Sequence, residues 1–306
     1  MASSEILLES GTNEIEIMEF TIHGELYGIN VVKVREIMQA GPVKPIPHSH
    51  SAVEGIFKPR DILLTVVDLP FYLTGMKTEP QPKDLFIITN FNKVNIAFRV
   101  NTVDGISRMS WTDIQKPDRT LSYGDEGVAT GIAKFQDRLV TILDFEKIVA
   151  EIAPETGIKL TEVDALGDRD YQEEAILLAE DSILLSKMVE TALVRSGYHN
   201  LKKFNNGKEL WDYLCGIKDG DRLSEEVDLI ITDIEMPQMD GHRLTKLVKE
   251  DPVFRKIPLV IFSSLINEEM ERKGKELGAD AQLSKPEIGH LIGIVDELIL
   301  RNKKEN

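Results

Sequence analysis

Asp228-Leu229-Ile230-Ile231-Thr232-Asp233-Ile234-Glu235-Met236-Pro237-Gln238-Met239-Asp240-Gly241 reads as a short apolar strand ending on a carboxylate. A loop punctuated by Pro237 and Gly241 follows, and then a helical stretch from Arg243 to Glu250. An isoleucine-rich run bounded by turn residues is the pattern of a parallel strand buried on both faces. In open α/β sheets ligands bind beyond the carboxyl ends of the strands, where Asp233 stands. Three further runs repeat the pattern. Ala175 to Ala179 ends in Glu180-Asp181, Pro258 to Phe262 in Ser263-Ser264, and Ala281 to Ser284 in Lys285-Pro286. Between them, Leu185, Met188, Val189, Ala192 and Leu193 recur at helical spacing before Gly197, and Gly207 to Ile217 reads as another helix. This alternation predicts a parallel sheet flanked by helices. The polar segment Lys218 to Glu226 is a long loop before the third strand.

Taken singly, each strand end has an ordinary use. Glu180-Asp181-Ser182 can open a helix, and Lys285-Pro286 can turn one. Taken together, the acids, the hydroxyl and the lysine point to chemistry. These residues resemble the receiver domain of two-component response regulators, from about Glu174 to the end of the chain. The resemblance implies a flavodoxin-like (βα)5 fold with Asp233 as phosphoacceptor. It implies Mg²⁺ held by Asp181, Asp233 and the backbone carbonyl of Glu235, with Glu180 supporting it through water. Ser263 would be the switch hydroxyl, and Lys285 the cation facing the phosphoryl group. The physical logic agrees. Crowded carboxylates repel unless a cation neutralises them, and Mg²⁺ suits an all-oxygen site with few protein ligands. Phosphoryl transfer then needs mainly alignment and charge neutralisation. A haloacid-dehalogenase-like phosphatase also uses a strand-end Asp, but wants a second Asp two residues on, where Glu235 stands here.

Lys and Arg number 36 against 52 Asp and Glu, a formal net charge of −16 that argues against nonspecific nucleic-acid binding and a polybasic membrane anchor. No apolar run approaches membrane-spanning length, and Met1-Ala2-Ser3-Ser4-Glu5 lacks the basic start of a secretory signal. The single cysteine, Cys215, cannot form an internal disulfide and reads as a core or half-buried thiol. A cytoplasmic protein is expected.

The 306 residues allow about two domains. Residues 153–173 lose hydrophobic periodicity and collect Pro154, Gly157 and Gly167, the composition of a linker with room for a helical portion. The receiver is then expected over 174–306 and another domain over 13–152. In that first domain Glu16 to Ile22 alternates, a turn follows at His23-Gly24, and Leu26 to Ile29 starts another strand. Ile62 to Val67, Leu85 to Thr89, Lys93 to Val100 and Arg138 to Leu143 continue the series, with turns at Thr89 to Asn92 and Gly124 to Gly127. Only Val31 to Gln39 and Glu146 to Ile152 read as helical. The domain is expected to be mostly antiparallel β and barrel-like.

Glu25-Leu26-Tyr27-Gly28-Ile29-Asn30, Lys33 to Ile37, Val53 to Asp61, Val66 to Leu69 and Gly131 to Asp144 together resemble the CheW-like coupling domain of bacterial chemotaxis. The resemblance implies a double SH3-like barrel that bridges chemoreceptor tips to a histidine kinase, in arrays at the inner face of the membrane. Val34, Glu36, Gly55 and Arg60 would lie in its partner-facing groove. Lys58-Pro59-Arg60-Asp61 keeps the family's Arg among altered neighbours. His48 and His50 sit in a proline-bounded loop without a cysteine or a matching acid pair, which does not make a metal site.

A coupling domain fused to a receiver implies a non-enzymatic adaptor whose docking changes when the kinase's phosphohistidine donates to Asp233. A phosphate sink that drains the kinase without altering coupling is the alternative. A receiver-linked methylesterase would need a Gly-x-Ser-x-Gly elbow and a further domain. A DNA-binding regulator would need a basic helix-turn-helix region, and the sequence offers neither.

Overall fold

In the computed structural model, the described residues are 14–91, 94–115, 127–135, 138–154, 158–167, 169–218, 223–264 and 268–305. Gly124 to Glu126 of the expected turn and residues 219–222 of the expected loop Lys218 to Glu226 lie outside them, and Leu223–Glu226 of that loop form a short helix. The chain divides into two compact units, the first ending at residue 157 and the second continuing from Ile158. Among the described residues, no helix is long and apolar enough to cross a membrane.

The first unit is mostly β. Its strands are β1 (Glu14–Ile22), β2 (Glu25–Asn30), β3 (Val34–Gln39), β4 (Val53–Phe57), β5 (Leu64–Asp68), β6 (Leu85–Phe91), β7 (Val94–Val100), β8 (Thr102–Ser110), β9 (Ile114–Gln115), β10 (Ala129–Phe135) and β11 (Arg138–Leu143). They form a six-stranded sheet in the order β8-β1-β2-β11-β10-β9 and a five-stranded sheet in the order β3-β6-β7-β5-β4. Each sheet has its own apolar cluster, around Ile17 and Val140 in one and Val66 and Phe86 in the other. A larger cluster with Phe20, Phe98 and Phe145 draws on strands of both. Among the described residues, the helices α1 (Leu69–Thr74), capped by Asp68, and α2 (Phe145–Ile152), capped by Asp144, accompany them.

The expected helix over Val31 to Gln39 is not formed. Val31–Lys33 make one 3₁₀ turn, capped by the Asn30 side chain, and Val34–Gln39 are extended. Val31, Val32, Val34 and Ile37 are β-branched, and the run pairs with β6 from Val34↔Thr89 to Gln39↔Leu85. The strand expected from Ile62 starts at Leu64, leaving Ile62 and Leu63 exposed.

The second unit holds α3 (Leu160–Asp164), β12 (Ile176–Ala179), α4 (Ile183–Arg195), β13 (Leu201–Phe204), α5 (Gly207–Ile217), α6 (Leu223–Glu226), β14 (Leu229–Thr232), α7 (Gly241–Glu250), β15 (Leu259–Ser263), α8 (Glu268–Glu276), β16 (Ala281–Ser284) and α9 (Ile288–Glu305). The sheet is wholly parallel, in the order β13-β12-β14-β15-β16. Every residue of β12, β14 and β15 is buried, which is why these strands read as continuous apolar runs. Ile176, Leu178, Ile231, Val260 and Phe262 join α4 and α9 in one cluster. Alternate positions, Leu177, Ile230 and Ile261, are buried toward the opposite face. The stretch 153–173, expected to be a linker, is not one throughout. Ile158 and Val163 are buried in the α4–α9 cluster, so the second unit begins well before Glu174.

Candidate functional site

The parallel sheet brings the carboxyl ends of β12, β14, β15 and β16 side by side. Register fixes the neighbours, since Ala179 pairs with Thr232 and Ser263 with Ser284. The next residues along the chain, Glu180, Asp233 and Lys285, therefore converge at the top of the sheet. Lys285 Nζ stands 2.8 Å from Asp233 Oδ2 and 3.0 Å from Glu180 Oε2. All three side chains are buried, as is Ser263 beside them on β15. Asp233 is fixed further by its backbone, whose N–H donates to the Ala179 carbonyl at 3.0 Å. Its Oδ1 accepts from the Ile234 N–H at 2.6 Å.

Asp181 completes the group. Carboxylate oxygens of Glu180, Asp181 and Asp233 lie within 4.8 Å of one another. Three acids face one ammonium, so the site carries excess negative charge in a poorly solvated place. All donors are hard oxygens, a set that fits a small divalent cation and not a soft metal. Ser182 turns the chain away from this group by capping α4, accepting from the Leu185 N–H.

The loop after β14 is held by a close approach. A Cβ on Gly241 would lie 1.9 Å from the Asp233 carbonyl oxygen, so only glycine lets α7 start there. The Gly241 N–H donates to the Ile234 carbonyl at 2.9 Å, closing the loop. Glu235 lies within it, half-buried, with its carboxylate outside the tight cluster of Glu180, Asp181 and Asp233.

The residues expected to meet partners do not share one environment. Glu36 and Arg60 are exposed, and Val34 is half-buried against the large cluster of the first unit. Gly55 is buried at φ +147°, where a Cβ would lie 2.1 Å from the Lys44 carbonyl oxygen. Its place in the sequence pattern has a conformational cause, and it offers no exposed contact surface.

Two features escaped sequence reasoning. Arg99 is 1% exposed and faces three acids: Glu54, Asp68 at 2.7 Å and Asp84 at 3.2 Å. The signal was an arginine inside the apolar run Val94 to Val100, at a position whose neighbours are all core. His242 is 2% exposed at the start of α7, and burial followed by the nearby Lys273 lowers its pKa to about 4. Nothing in the sequence distinguishes that histidine from a surface one.

Residues 16–153 match the CheW-like domain family, and residues 176–296 match the response regulator receiver domain family. Chemotaxis protein CheV3 of Helicobacter pylori is 30% identical over 290 residues, spanning 89% of this chain and 91% of that protein. Chemotaxis protein CheV2 of the same organism is 29% identical over 301 residues, spanning 90% and 92%. The crystal structure of scaffolding protein TtCheW from Thermoanaerobacter tengcongensis aligns at 25% identity with 42% of this chain and 83% of its own, at a TM-score of 0.38. Both domains match in order, and the alignment with the CheV proteins runs along nearly the whole of both chains, so this protein belongs to the CheV family of chemotaxis coupling adaptors, a CheW-like domain followed by a receiver.

Proposed function

We propose that the first unit couples chemoreceptors to a histidine kinase and that phosphorylation of Asp233 adjusts this coupling. The observation that carries the reading is the buried contact of Lys285 with Asp233 and Glu180, beside Asp181, at the carboxyl end of a parallel sheet. In the transfer, an Asp233 oxygen attacks the phosphorus of a phosphohistidine. The P–O bond forms as the P–N bond breaks, and the leaving imidazole keeps the electron pair and takes a proton from solvent.

Asp181, Asp233 and the Glu235 carbonyl would hold Mg²⁺, with Glu180 near it. The ion would supply charge neutralisation for phosphoryl oxygens. Lys285 stabilises the same charge from the protein side, and the Ser263 hydroxyl donates to a phosphoryl oxygen once one is present, drawing its loop inward. Glu36 and Arg60, both exposed, are the candidate partner contacts of the coupling domain, which we assign to about 13–152.

The test is labelling with acetyl phosphate or a phosphorylated kinase in the presence of Mg²⁺, comparing wild type with Asp233→Ala. Labelling should vanish in the variant. Undiminished labelling removes the reading. Recruitment of receptor and kinase by the full chain, with and without beryllofluoride and Mg²⁺, then separates a regulated adaptor from a phosphate sink, because only the adaptor changes its recruitment.

A further inference from the structure

The helix α3 lies across α4 and α9, seated by Ile158 and Val163 in the cluster that includes Ala192, Leu193, Leu291 and Val295. Burial of these two apolar side chains holds the segment on the receiver. Polar contacts pin the segment at three points. Asp164 accepts from Arg195 at 2.8 Å at the end of α4. Glu162 Oε2 accepts from the Gly289 N–H at 3.3 Å, in the first turn of α9. Beyond α3, Arg169 donates to Asp296 of α9 at 2.5 Å, and Asp296 also accepts from the Tyr198 hydroxyl at 2.6 Å.

The Glu162 contact sits on the same short piece of chain as the site. Lys285 is followed by Pro286, and α9 begins at Ile288. Proline stiffens that connection, so a displacement of the Lys285 backbone is passed to the first turn of α9 instead of being absorbed. In the unmodified protein, the Lys285 ammonium divides its donors between Asp233 and Glu180.

We propose that α3 is the element by which the receiver reports its state, leaving its seat on α4 and α9 when Asp233 carries a phosphoryl group. The inference rests on phosphorylation of Asp233. A phosphoryl group adds about −1.5 to −2 charge and three acceptor oxygens. The ammonium turns from Glu180 to those oxygens, and the chain behind it follows inward, taking the Gly289 N–H with it. At 3.3 Å the bond to Glu162 is already past the usual length of an N–H···O contact, so a shift of a few tenths of an ångström ends it. A helix as short as α3 has no stability of its own and depends on its seat. The covalent path from the coupling unit enters the second unit at Ile158, so freeing α3 lengthens the connection between the two units.

Hydrogen–deuterium exchange of the full chain, with and without beryllofluoride and Mg²⁺, tests this. Amides of residues 160–166 should exchange about five- to a hundredfold faster with the mimic bound, the range of an ordinary coupling free energy. Asp233→Asn under the same conditions should show no change there. Unchanged or slower exchange at α3, while segments containing Asp233 and Lys285 respond, overturns the proposal and leaves the phosphorylation reading standing. If no segment responds, that reading fails and this one with it. Glu162→Ala removes no core side chain and should speed α3 exchange in the unmodified protein. An unaltered rate in that variant overturns the Glu162 route.

Discussion

Lys285 Nζ stands 2.8 Å from Asp233 Oδ2, with both side chains 2% exposed. The pair is buried, yet it is not balanced, because Glu180 and Asp181 bring two further carboxylates to the same place. Removing one partner of a buried pair leaves uncompensated charge and costs about 3–5 kcal/mol. Lys285→Met should therefore destabilise the receiver strongly in the absence of divalent ions. Added Mg²⁺ should recover a larger share of stability in the variant than in wild type, because the ion then supplies the counter-charge that Lys285 supplied. Urea denaturation with EDTA and with Mg²⁺ measures both. Equal Mg²⁺ effects in the two proteins would show that the carboxylates do not bind the ion together.

Arg99 is the corresponding feature of the coupling unit. One guanidinium holds Glu54, Asp68 and Asp84, while Asp68 also caps α1 and Asp84 accepts from the Gln81 N–H. Arg99→Met should cost about 3–5 kcal/mol, since three acids lose their common partner. Glu54→Gln should behave oppositely. Burial, only partly opposed by Arg99, raises the Glu54 pKa. A raised carboxyl is favourable to folding below its ordinary pKa and loses that contribution as pH rises through the folded value. At neutral pH the amide should thus be more stable than wild type, and the advantage should disappear in acid. Thermal unfolding of both variants across pH is the measurement.

Much of the receiver was legible because β12, β14 and β15 are buried on both faces and each ends in a residue with distinctive chemistry. The coupling unit was harder to read. Val31 to Gln39 has residues spaced suitably for a helix, and only pairing with β6 decides that it is extended. Burial of Arg99 depends on acids from β4, β5 and the residue before β6, far apart in sequence, and no local pattern encodes that meeting. The boundary at Ile158 was obscured for a similar reason. A five-residue helix has too short a period to register, and its apolar side chains find their partners on α4 and α9.

His242 predicts an acid limit for the receiver. Its Nε2 is buried without a hydrogen-bond partner among the described residues, and burial together with Lys273 holds its pKa at about 4, against a small opposing effect of Asp240. A depressed pKa means the unfolded chain binds a proton more readily than the folded one. Stability from this group is full above pH 6.5 and is lost as pH falls toward 4, by up to about 3 kcal/mol. His242→Leu should flatten the stability profile between those values. A profile with wild-type slope in the variant would assign the acid sensitivity elsewhere.

Arg60 offers a direct test of the coupling surface. It is exposed, and Ile62 and Leu63 beside it are exposed apolar residues at 42% and 62%. Charge reversal at a protein interface can cost several kcal/mol, whereas on open surface it costs little. Arg60→Glu should weaken association with receptor or kinase and leave labelling of Asp233 at wild-type level. Unchanged recruitment would place the interface on another face.

Glu235 bears on how long a phosphoryl group persists. It stands two residues after Asp233, half-buried in the loop that Gly241 closes, and its carboxylate is separate from the three-acid cluster. Hydrolysis requires water to approach the phosphorus opposite Asp233 and to give up a proton to solvent, becoming hydroxide-like as it attacks. The phosphoryl group and the acids around it are only partly neutralised by Lys285 and a bound divalent ion. A further carboxylate near the path of approach repels the developing hydroxide, and partial burial strengthens that repulsion compared with water. Glu235→Asn removes the charge and shortens the side chain by one methylene, so the variant should lose phosphate faster than wild type, by about tenfold for a barrier change of 1.36 kcal/mol. The autodephosphorylation rate of the two purified proteins at fixed Mg²⁺ decides it. Slower loss in the variant would mean that the carboxylate orients the attacking water, and the long-lived phosphorylated state expected of a gain-adjusting adaptor would have to come from another residue.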